Sequence, residues 1–246
     1  LETQGSLFEG TKSLKMVLPC LVQTGNNDNV IKEYIAYKLF EIISPYHFKT
    51  KLLDVSFEEE HGKKIKNHLI KGFLIEDDEA VAERFGGNVY KNTSHPLNHK
   101  PIESVRNTIF QYLIGNTDFS QAYLHNVKII FADDGLIPLP YDFDMSGLVN
   151  TSYAVVSVIQ GEQLDMTSVT QRKYRGFVRD VKVFNLVRQE ILDKKIEILA
   201  MLDTYKSQFE NPKEFSGAKE YVLSFFTILE DKTKFKKEII DQARIK

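Results

Sequence analysis

The sequence predicts an α+β protein in which a small antiparallel sheet with one packed helix comes first and helices dominate later. Apolar and polar residues alternate in two short segments near the start of the chain, as is typical of half-buried strands, and a mainly apolar run follows at 69–75. Apolar residues recur at helical spacing between those strands and in long segments near the end. We expect strands within residues 1–25, where the alternation covers 14–18, and at 48–57 and 69–75. We expect helices at 29–43 and from Pro101 to Gly115, one or two helices within 176–206 and two within 213–243.

The first third of the chain is expected to form one unit with the order strand, helix, strand, strand. Lys15 lies in the first of these strands. The charged run EHGKKIKNH at 60–68 is expected to form a solvated turn between the last two strands. A boundary near residue 76 then separates a sheet-containing N-lobe (1–76) from a mostly helical C-lobe (77–246).

Composition and charge are those of an ordinary globular chain. The 246 residues are 27% charged, and the formal net charge of −2 gives no indication of a nucleic-acid partner. No apolar run approaches the roughly 20 residues needed to span a bilayer. The single Cys20 excludes an internal disulfide and is expected to be buried. Because the chain begins at Leu1 rather than Met, a preceding N-lobe segment, and with it an exported or periplasmic location, stays open.

Four side chains able to bind a cation or orient a hydroxyl flank a predicted β-hairpin. Asp118 and Asn126 precede the hairpin, and Asp142 and Asp144 follow it. Such a group suits two tasks, orienting a hydroxyl and holding a divalent metal beside a phosphate, because hard cations prefer oxygen ligands. Asp and Asn are also common at strand ends because they favour turns, so a structural role is the alternative for each.

The hairpin is predicted from two β-rich runs, VKIIF and LIPLP, which enclose the turn signal Asp134-Gly135. With these two residues at the tip of the loop, Asn126 falls opposite Phe143. The two prolines of the second run cannot donate to a ladder, so we expect that strand to lie at the edge of its sheet or to be only partly paired.

Four segments of the chain resemble a known group of proteins: FLIEDDEAVAER at 73–84, IGNTDFS at 114–120, HNVKII at 125–130 and PYDFDMSGLVN at 140–150. Their order resembles that of protein kinases, in which a strand lysine and a helix glutamate precede a catalytic Asp, an Asn and a metal-binding Asp. More closely, the chain resembles atypical bacterial kinases of the CotH spore-coat type and HipA-like kinases, and it looks most like Bacteroidetes proteins related to them. The resemblance covers the chain up to about residue 180.

The resemblance implies a two-lobed, protein-kinase-like fold and an atypical kinase that transfers the γ-phosphate of ATP to a hydroxyl acceptor. The implied cofactors are ATP and Mg²⁺ or Mn²⁺. The implied partners are the nucleotide and an acceptor of unknown identity, with protein Ser or Thr as the expected class. Neither nucleic acid nor a membrane span is expected.

Four residues would form the nucleotide site if the resemblance is carried over position by position. Lys15 would bind the α- and β-phosphates, and Glu33 would be its ion-pair partner. The backbone around Ile75 and Glu76 would contact adenine. The sequence supports Glu33 independently, because it shares a helix row with apolar residues and a carboxylate among apolar neighbours needs a partner. A surface lysine and a glutamate reaching water are the structural alternatives.

The catalytic and metal-binding roles fall on the residues around the hairpin. Asp118 would accept or orient the proton of the acceptor hydroxyl, and Asn126, Asp142 and Asp144 would hold the metal. The pattern departs from that of protein kinases at three points. Asn126 follows Asp118 by eight residues instead of five, Asn116 stands where kinases have His, and Asp144 stands where they have Gly.

Other functions remain open at this point. The same fold could bind a nucleotide as a pseudokinase or interaction module without transferase activity, or could transfer AMP. A Mg²⁺-dependent hydrolase would use Asp118, Asp142 and Asp144 without needing Lys15. The basic run RKYR at 172–175 is either a solvated helix start or a contact to phosphate or an acidic substrate.

Overall fold

The computed structural model describes residues 3–19, 26–159 and 161–245 and confirms the α+β class. Cys20 lies outside the described residues, so its burial stays a prediction. Among the described residues no helix is long and apolar enough to cross a bilayer, in agreement with the expectation from the sequence.

The first sheet has three antiparallel strands: β1 (Leu14–Val17), β2 (Thr50–His61) and β3 (Lys64–Glu76). Their order is β1-β3-β2, so β3 is central. The expected solvated turn at 60–68 was wrong in extent, because both strands continue through the charged run and reverse direction at Gly62, whose φ is +63°. Polar side chains exposed on both faces are compatible with a hairpin that projects into solvent, and for this reason the hydrophobic pattern did not indicate these strand ends.

Helix α1 (Asn26–Ile43) packs against this sheet and is buried around most of its circumference. Tyr37 contacts Phe73 of β3 with ring centroids 5.4 Å apart. On its other side, Asp28 accepts hydrogen bonds from two backbone amides of the C-terminal region, and Lys32 forms a 2.8 Å ion pair with Glu214. The burial is therefore wider than the predicted apolar stripe, because the sheet and the C-terminal helices cover opposite sides of the helix.

The middle of the chain contains α2 (Asp78–Arg84), the short strand β4 (Asn88–Val89) and α3 (Pro101–Ile114). Asp77 caps α2 by accepting a 2.7 Å hydrogen bond from the amide of Ala80. Helix α3 begins at a proline, as expected, and ends at Gly115 in the left-handed conformation, with φ of +64°.

The predicted hairpin consists of β5 (Val127–Ala132) and β6 (Gly135–Pro140), which join β4 in a sheet of order β4-β5-β6. The edge position expected for the second strand is confirmed. The predicted register was wrong, because Asp133 and Asp134 both adopt positive φ and form the tip, so that Ala132 pairs with Gly135. Two aspartates can satisfy the positive φ that a two-residue turn requires.

This change of register moves the partner of Asn126 from Phe143 to Tyr141, whose amide donates a 3.1 Å hydrogen bond to the Asn126 carbonyl. The shift equals one strand period, so the side chains keep the faces that the sequence predicted. The two aspartates that follow the hairpin therefore still emerge at the same end as Asn126.

The C-terminal part is helical, as predicted. A two-stranded ribbon, β7 (Val158–Ile159) with β8 (Glu162–Gln163), precedes it. The helices that follow are α4 (Val181–Asp193), α5 (Lys195–Thr204), α6 (Pro212–Glu230) and α7 (Lys232–Phe235), with a π-helical turn at Lys236–Ile240.

A chain of aromatic rings joins the first sheet to the helices. Phe73 contacts Tyr37 at 5.4 Å, Tyr37 contacts Phe143 at 4.6 Å, and Phe143 contacts Phe110 at 5.4 Å between ring centroids. These rings belong to one continuous core with residues from both sides of position 76. The lobe boundary at residue 76 stays a prediction.

Replacing Gly115 with alanine is expected to destabilise the fold at the junction of α3 and the loop that follows it. A Cβ at this position would lie 1.9 Å from Tyr221 Oη and would also strain a φ of +64°. We expect the free energy of unfolding to fall by about 2–4 kcal/mol in denaturant titrations, from strain and overpacking together.

Gly86→Ala is the matched control, because Gly86 has the same φ of +64° and nothing within 4 Å of the added Cβ. Its loss should be limited to the backbone strain of about 1–2 kcal/mol. Equal losses at the two glycines would show that Tyr221 does not restrict position 115.

Candidate functional site

Asp118 and Asn126 are joined by hydrogen bonds at the base of the hairpin. Asn126 Nδ2 lies 2.8 Å from the carbonyl oxygen of Asp118 and 3.2 Å from its Oδ2. The Asp118 amide donates a 2.8 Å bond to Oδ1 of Asn116. Nδ2 of Asn126 faces Asp118, so the amide oxygen Oδ1 of Asn126 is not used in these bonds. An amide oxygen is the atom of asparagine that can bind a cation.

Two further residues fix the position of Asp118. His125 Nε2 lies 3.0 Å from Asp118 Oδ1. Arg175 donates from Nη1 to the carbonyl of Thr117 and, at 3.0 Å, to that of Phe119. The carboxylate of Asp118 remains about one-third exposed, so a ligand can still reach it.

The basic run at 172–175 does not begin a solvated helix, since α4 begins at Val181. Arg172 donates to the carbonyls of Leu113 and Tyr221, and Arg175 is buried against the loop that carries Asp118. Sequence reasoning marked this run as basic. It gave no signal for the contacts, because backbone carbonyls far away along the chain provide them.

Asp142 and Asp144 follow the hairpin and lie close enough for their carboxyl groups to hydrogen-bond. Partial enclosure in the cleft and the charge of Asp144 raise the pKa of Asp142 to about 6. Asp142 itself has a φ of +63°, and its amide donates a 3.0 Å bond to Tyr37 Oη of α1. Tyr153 donates a 3.0 Å bond to Asp144 Oδ2. A cation beside this pair would relieve the repulsion that raises the pKa.

Glu33 faces the same pair from α1 and is nearly fully buried. Burial, reinforced by the charges of Asp142 and Asp144, raises the pKa of Glu33 to about 8. Its Oε1 lies 3.4 Å from the backbone nitrogen of Phe143, which donates to it. The side chain is therefore neutral over most of the physiological pH range, and it contacts the loop that holds the aspartates.

The structure does not bring Lys15 and Glu33 together in the expected ion pair. Lys15 is exposed on β1, with Nζ 5.2 Å from the centroid of the Tyr141 ring. Lys128 approaches the same ring, at 5.7 Å. Lys15 lies on the same face of the sheet as its buried register partner Ile75, but its ammonium group lies beside the Tyr141 ring. Glu33 instead contacts the backbone of Phe143.

Ile75 and Glu76 are buried at the end of β3 and are not among the described residues that line the acidic cleft. The Glu76 amide donates to the carbonyl of Lys49 at 3.0 Å, and its carboxylate binds the Lys49 amide and Arg84. These groups tie the end of β3 to neighbouring segments. The geometry lends no support to the adenine contact expected from the sequence.

A cleft of about 180 Å³ opens between β1, α1 and the loop after the hairpin. Glu33, Asp142 and Asp144 line it, together with Asn29, Thr151 and Tyr153. Ligand sites for drug-sized molecules are commonly about 300–1,000 Å³, so the described walls enclose room for part of a nucleotide.

Within the described ranges no three His, Cys, Asp or Glu side chains converge closely enough to hold a metal ion by themselves. Compared with known proteins, the chain matches no protein-family model, no curated protein and no solved structure. The function therefore has to be argued from the geometry of the site.

The stability of the fold should depend on pH through Glu33. Its pKa is raised from 4.5 to about 8, so between these values the folded protein keeps a proton that the unfolded chain releases. The free energy of unfolding should therefore fall as pH rises from 5 to 8, by at most about 1.4 kcal/mol per pH unit from this group. Asp142 adds to the fall below pH 6.

Glu33→Gln should flatten this dependence, because glutamine has no proton to lose. Urea titrations at pH 5, 6.5 and 8 measure the effect, with Glu220→Gln, an exposed glutamate of α6, as the control that keeps the wild-type slope. A Glu33→Gln protein with an unchanged slope would show that Glu33 is already ionised at pH 5.

Proposed function

We propose that this protein is an atypical kinase that transfers the γ-phosphate of ATP to a hydroxyl acceptor, with Mg²⁺ or Mn²⁺ as the metal. One observation carries the proposal. A hydrogen-bonded Asp118–Asn126 pair and an Asp142–Asp144 carboxylate pair lie at one end of one hairpin, close enough for Asp118 to influence the pKa of Asp142. The proposed acceptor is a protein Ser or Thr.

The same proposal includes a two-lobed, kinase-like arrangement. The first sheet and α1 would form the N-lobe, and the helices after residue 76 would form the C-lobe. The order of elements supports it, since a strand with a lysine, a helix with a buried glutamate, a loop Asp, an Asn and a post-hairpin Asp follow one another as in kinases.

The metal would be held by Asp142 and the amide oxygen of Asn126, with Asp144 as a further ligand or as a group that orients the others. Mg²⁺ is usually bound by one or two carboxylates together with substrate phosphates, so the absence of three converging acidic side chains among the described residues is compatible with this role. When bound, the metal would neutralise charge on the transferred phosphoryl group.

Asp118 would act as the catalytic residue. Its carboxylate would accept the proton of the acceptor hydroxyl while the acceptor oxygen forms a bond to the γ-phosphorus, the bond to the β-phosphate oxygen breaks, and ADP leaves. His125 and Asn126 each contact one carboxylate oxygen and so restrict its rotation. Most catalysis of phosphoryl transfer comes from such positioning and from charge stabilisation.

Lys15 of β1 and Lys128 of β5 both lie near the Tyr141 ring, and they would supply positive charge for the phosphates. Protein kinases need the lysine–glutamate ion pair for activity, and here Lys15 does not contact Glu33. This separation favours a second candidate, a nucleotide-binding pseudokinase or interaction module without transferase activity. Binding and transfer therefore have to be measured separately.

Calorimetric titration with Mg²⁺–ATP tests the nucleotide site. Wild type should bind, and Asp142→Asn should bind about 10-fold or more weakly, because the negative charge of a metal ligand is lost without a change of side-chain shape. Asp134→Asn is the matched control, since Asp134 lies at the opposite end of the same hairpin with a positive φ that asparagine also tolerates. Equal weakening in both variants, or a folded wild type that does not bind, would count against the proposal.

Asp118→Asn tests transfer. The rate of phosphate transfer from radiolabelled ATP should fall about 10²- to 10⁴-fold, the usual contribution of a general base, while Mg²⁺–ATP still binds. An unchanged cellular function in Asp118→Asn would favour the pseudokinase. If Lys15→Ala leaves the activity unchanged, a Mg²⁺-dependent hydrolase would be favoured. A product whose mass has increased by an adenylyl group instead of a phosphoryl group would identify AMP transfer.

A further inference from the structure

A second and larger cavity, of about 590 Å³, lies on another side of Asp118. Asp118 and His125 line it, whereas neither lines the acidic cleft that contains Asp142 and Asp144. The volume falls within the common range for ligand sites. Asp118 is thus reachable from a space distinct from the proposed nucleotide cleft.

The lining of this cavity carries an excess of positive charge. Arg175 and Arg244 carry positive charge, and Asp118 is the one carboxylate among the described lining residues. The chain as a whole has a net charge of −2, so this excess is a local feature.

The two arginines are held in place by the fold. Arg175 lies over the Phe119 ring and bonds to the carbonyls on either side of Asp118 through Nη1, which leaves further donors of its guanidinium on Nε and Nη2. Arg244 stacks on Phe177 at 4.3 Å, and its amide donates to the Gly176 carbonyl at 2.9 Å.

The two positive charges also act on each other. Burial, together with the charge of Arg244, lowers the pKa of Arg175 to about 10. An anion between the two guanidinium groups would remove this repulsion and would satisfy their planar, forked donors, which suit carboxylates and phosphates.

We propose that this cavity binds an acidic peptide segment, so that a Ser or Thr hydroxyl lies at Asp118 while a neighbouring Asp, Glu or phosphoserine side chain binds Arg175 and Arg244. This inference rests on the proposed kinase function and specifies its acceptor. Arg175 contacts both residues that flank Asp118, so the acidic side chain should lie within one or two residues of the hydroxyl. An extended chain advances only about 3.3 Å per residue.

Peptide binding in the absence of nucleotide tests the inference. We would measure fluorescence anisotropy with labelled peptides that contain one Ser flanked by two Glu, two Gln or two Lys residues on each side. The Glu peptide should bind about 5- to 20-fold more tightly than the Gln peptide, and the Lys peptide most weakly. Equal affinities would overturn the inference.

Two pairs of variants locate the binding in this cavity. Val158 lines the cavity and is 64% exposed, so either charge is tolerated there. Val158→Glu should weaken binding of the Glu peptide about 2- to 5-fold, whereas Val158→Lys should not weaken it. Arg244→Gln should weaken it similarly, and Lys213→Gln, which removes an exposed charge from α6 outside the cavity, should have no effect.

Identical effects of Val158→Glu and Val158→Lys would overturn the assignment of the peptide to this cavity. The Mg²⁺–ATP titration separates this result from the proposed function. A protein that binds Mg²⁺–ATP without preferring the Glu peptide would retain the kinase proposal and lose the acidic acceptor. A protein that prefers the Glu peptide without binding Mg²⁺–ATP would be an acidic-peptide binder and no kinase.

Discussion

The burial of Phe143 between α1 and α3 is the interaction on which the candidate site depends. Its ring contacts Tyr37 on one side and Phe110 on the other, and its backbone nitrogen donates to Glu33. Asp142 and Asp144, on either side of the buried Phe143, therefore both lie at the edge of the core and line the cleft. Asp142 reaches the cleft through a positive φ, a backbone conformation that the surrounding contacts hold in place.

Helix α1 connects this interaction to the rest of the molecule. One side of the helix contacts the central strand of the first sheet, and the other is tied to the start of α6 through Asp28 and Lys32. Its position is thus determined by elements from both ends of the chain. The buried carboxyl of Glu33 is placed beside the acidic pair as a consequence, and its neutral state avoids adding a third negative charge there.

The sequence predicted much of this arrangement and missed specific contacts. The α+β class, the hairpin and its edge strand followed from local pattern and composition. For Glu33 the sequence indicated apolar neighbours but left open a side chain that reaches water. The hairpin register was wrong because Asp133 and Asp134 form the turn in place of Asp134-Gly135. The expected contact of Lys15 with Glu33 is absent, because the Lys15 ammonium group lies beside the Tyr141 ring and Glu33 contacts the backbone of Phe143.

Some properties of this protein follow from local sequence, and others depend on how distant parts of the chain pack together. The sequence by itself determined the α+β class and the hairpin flanked by Asp118, Asn126, Asp142 and Asp144, since these features depend on local periodicity and turn preferences. Only the tertiary structure decided that Glu33 faces the acidic pair and that Arg175 and Arg244 line a cavity beside Asp118. Those relations join residues far apart in the chain, and packing and desolvation, which no local pattern encodes, determine them.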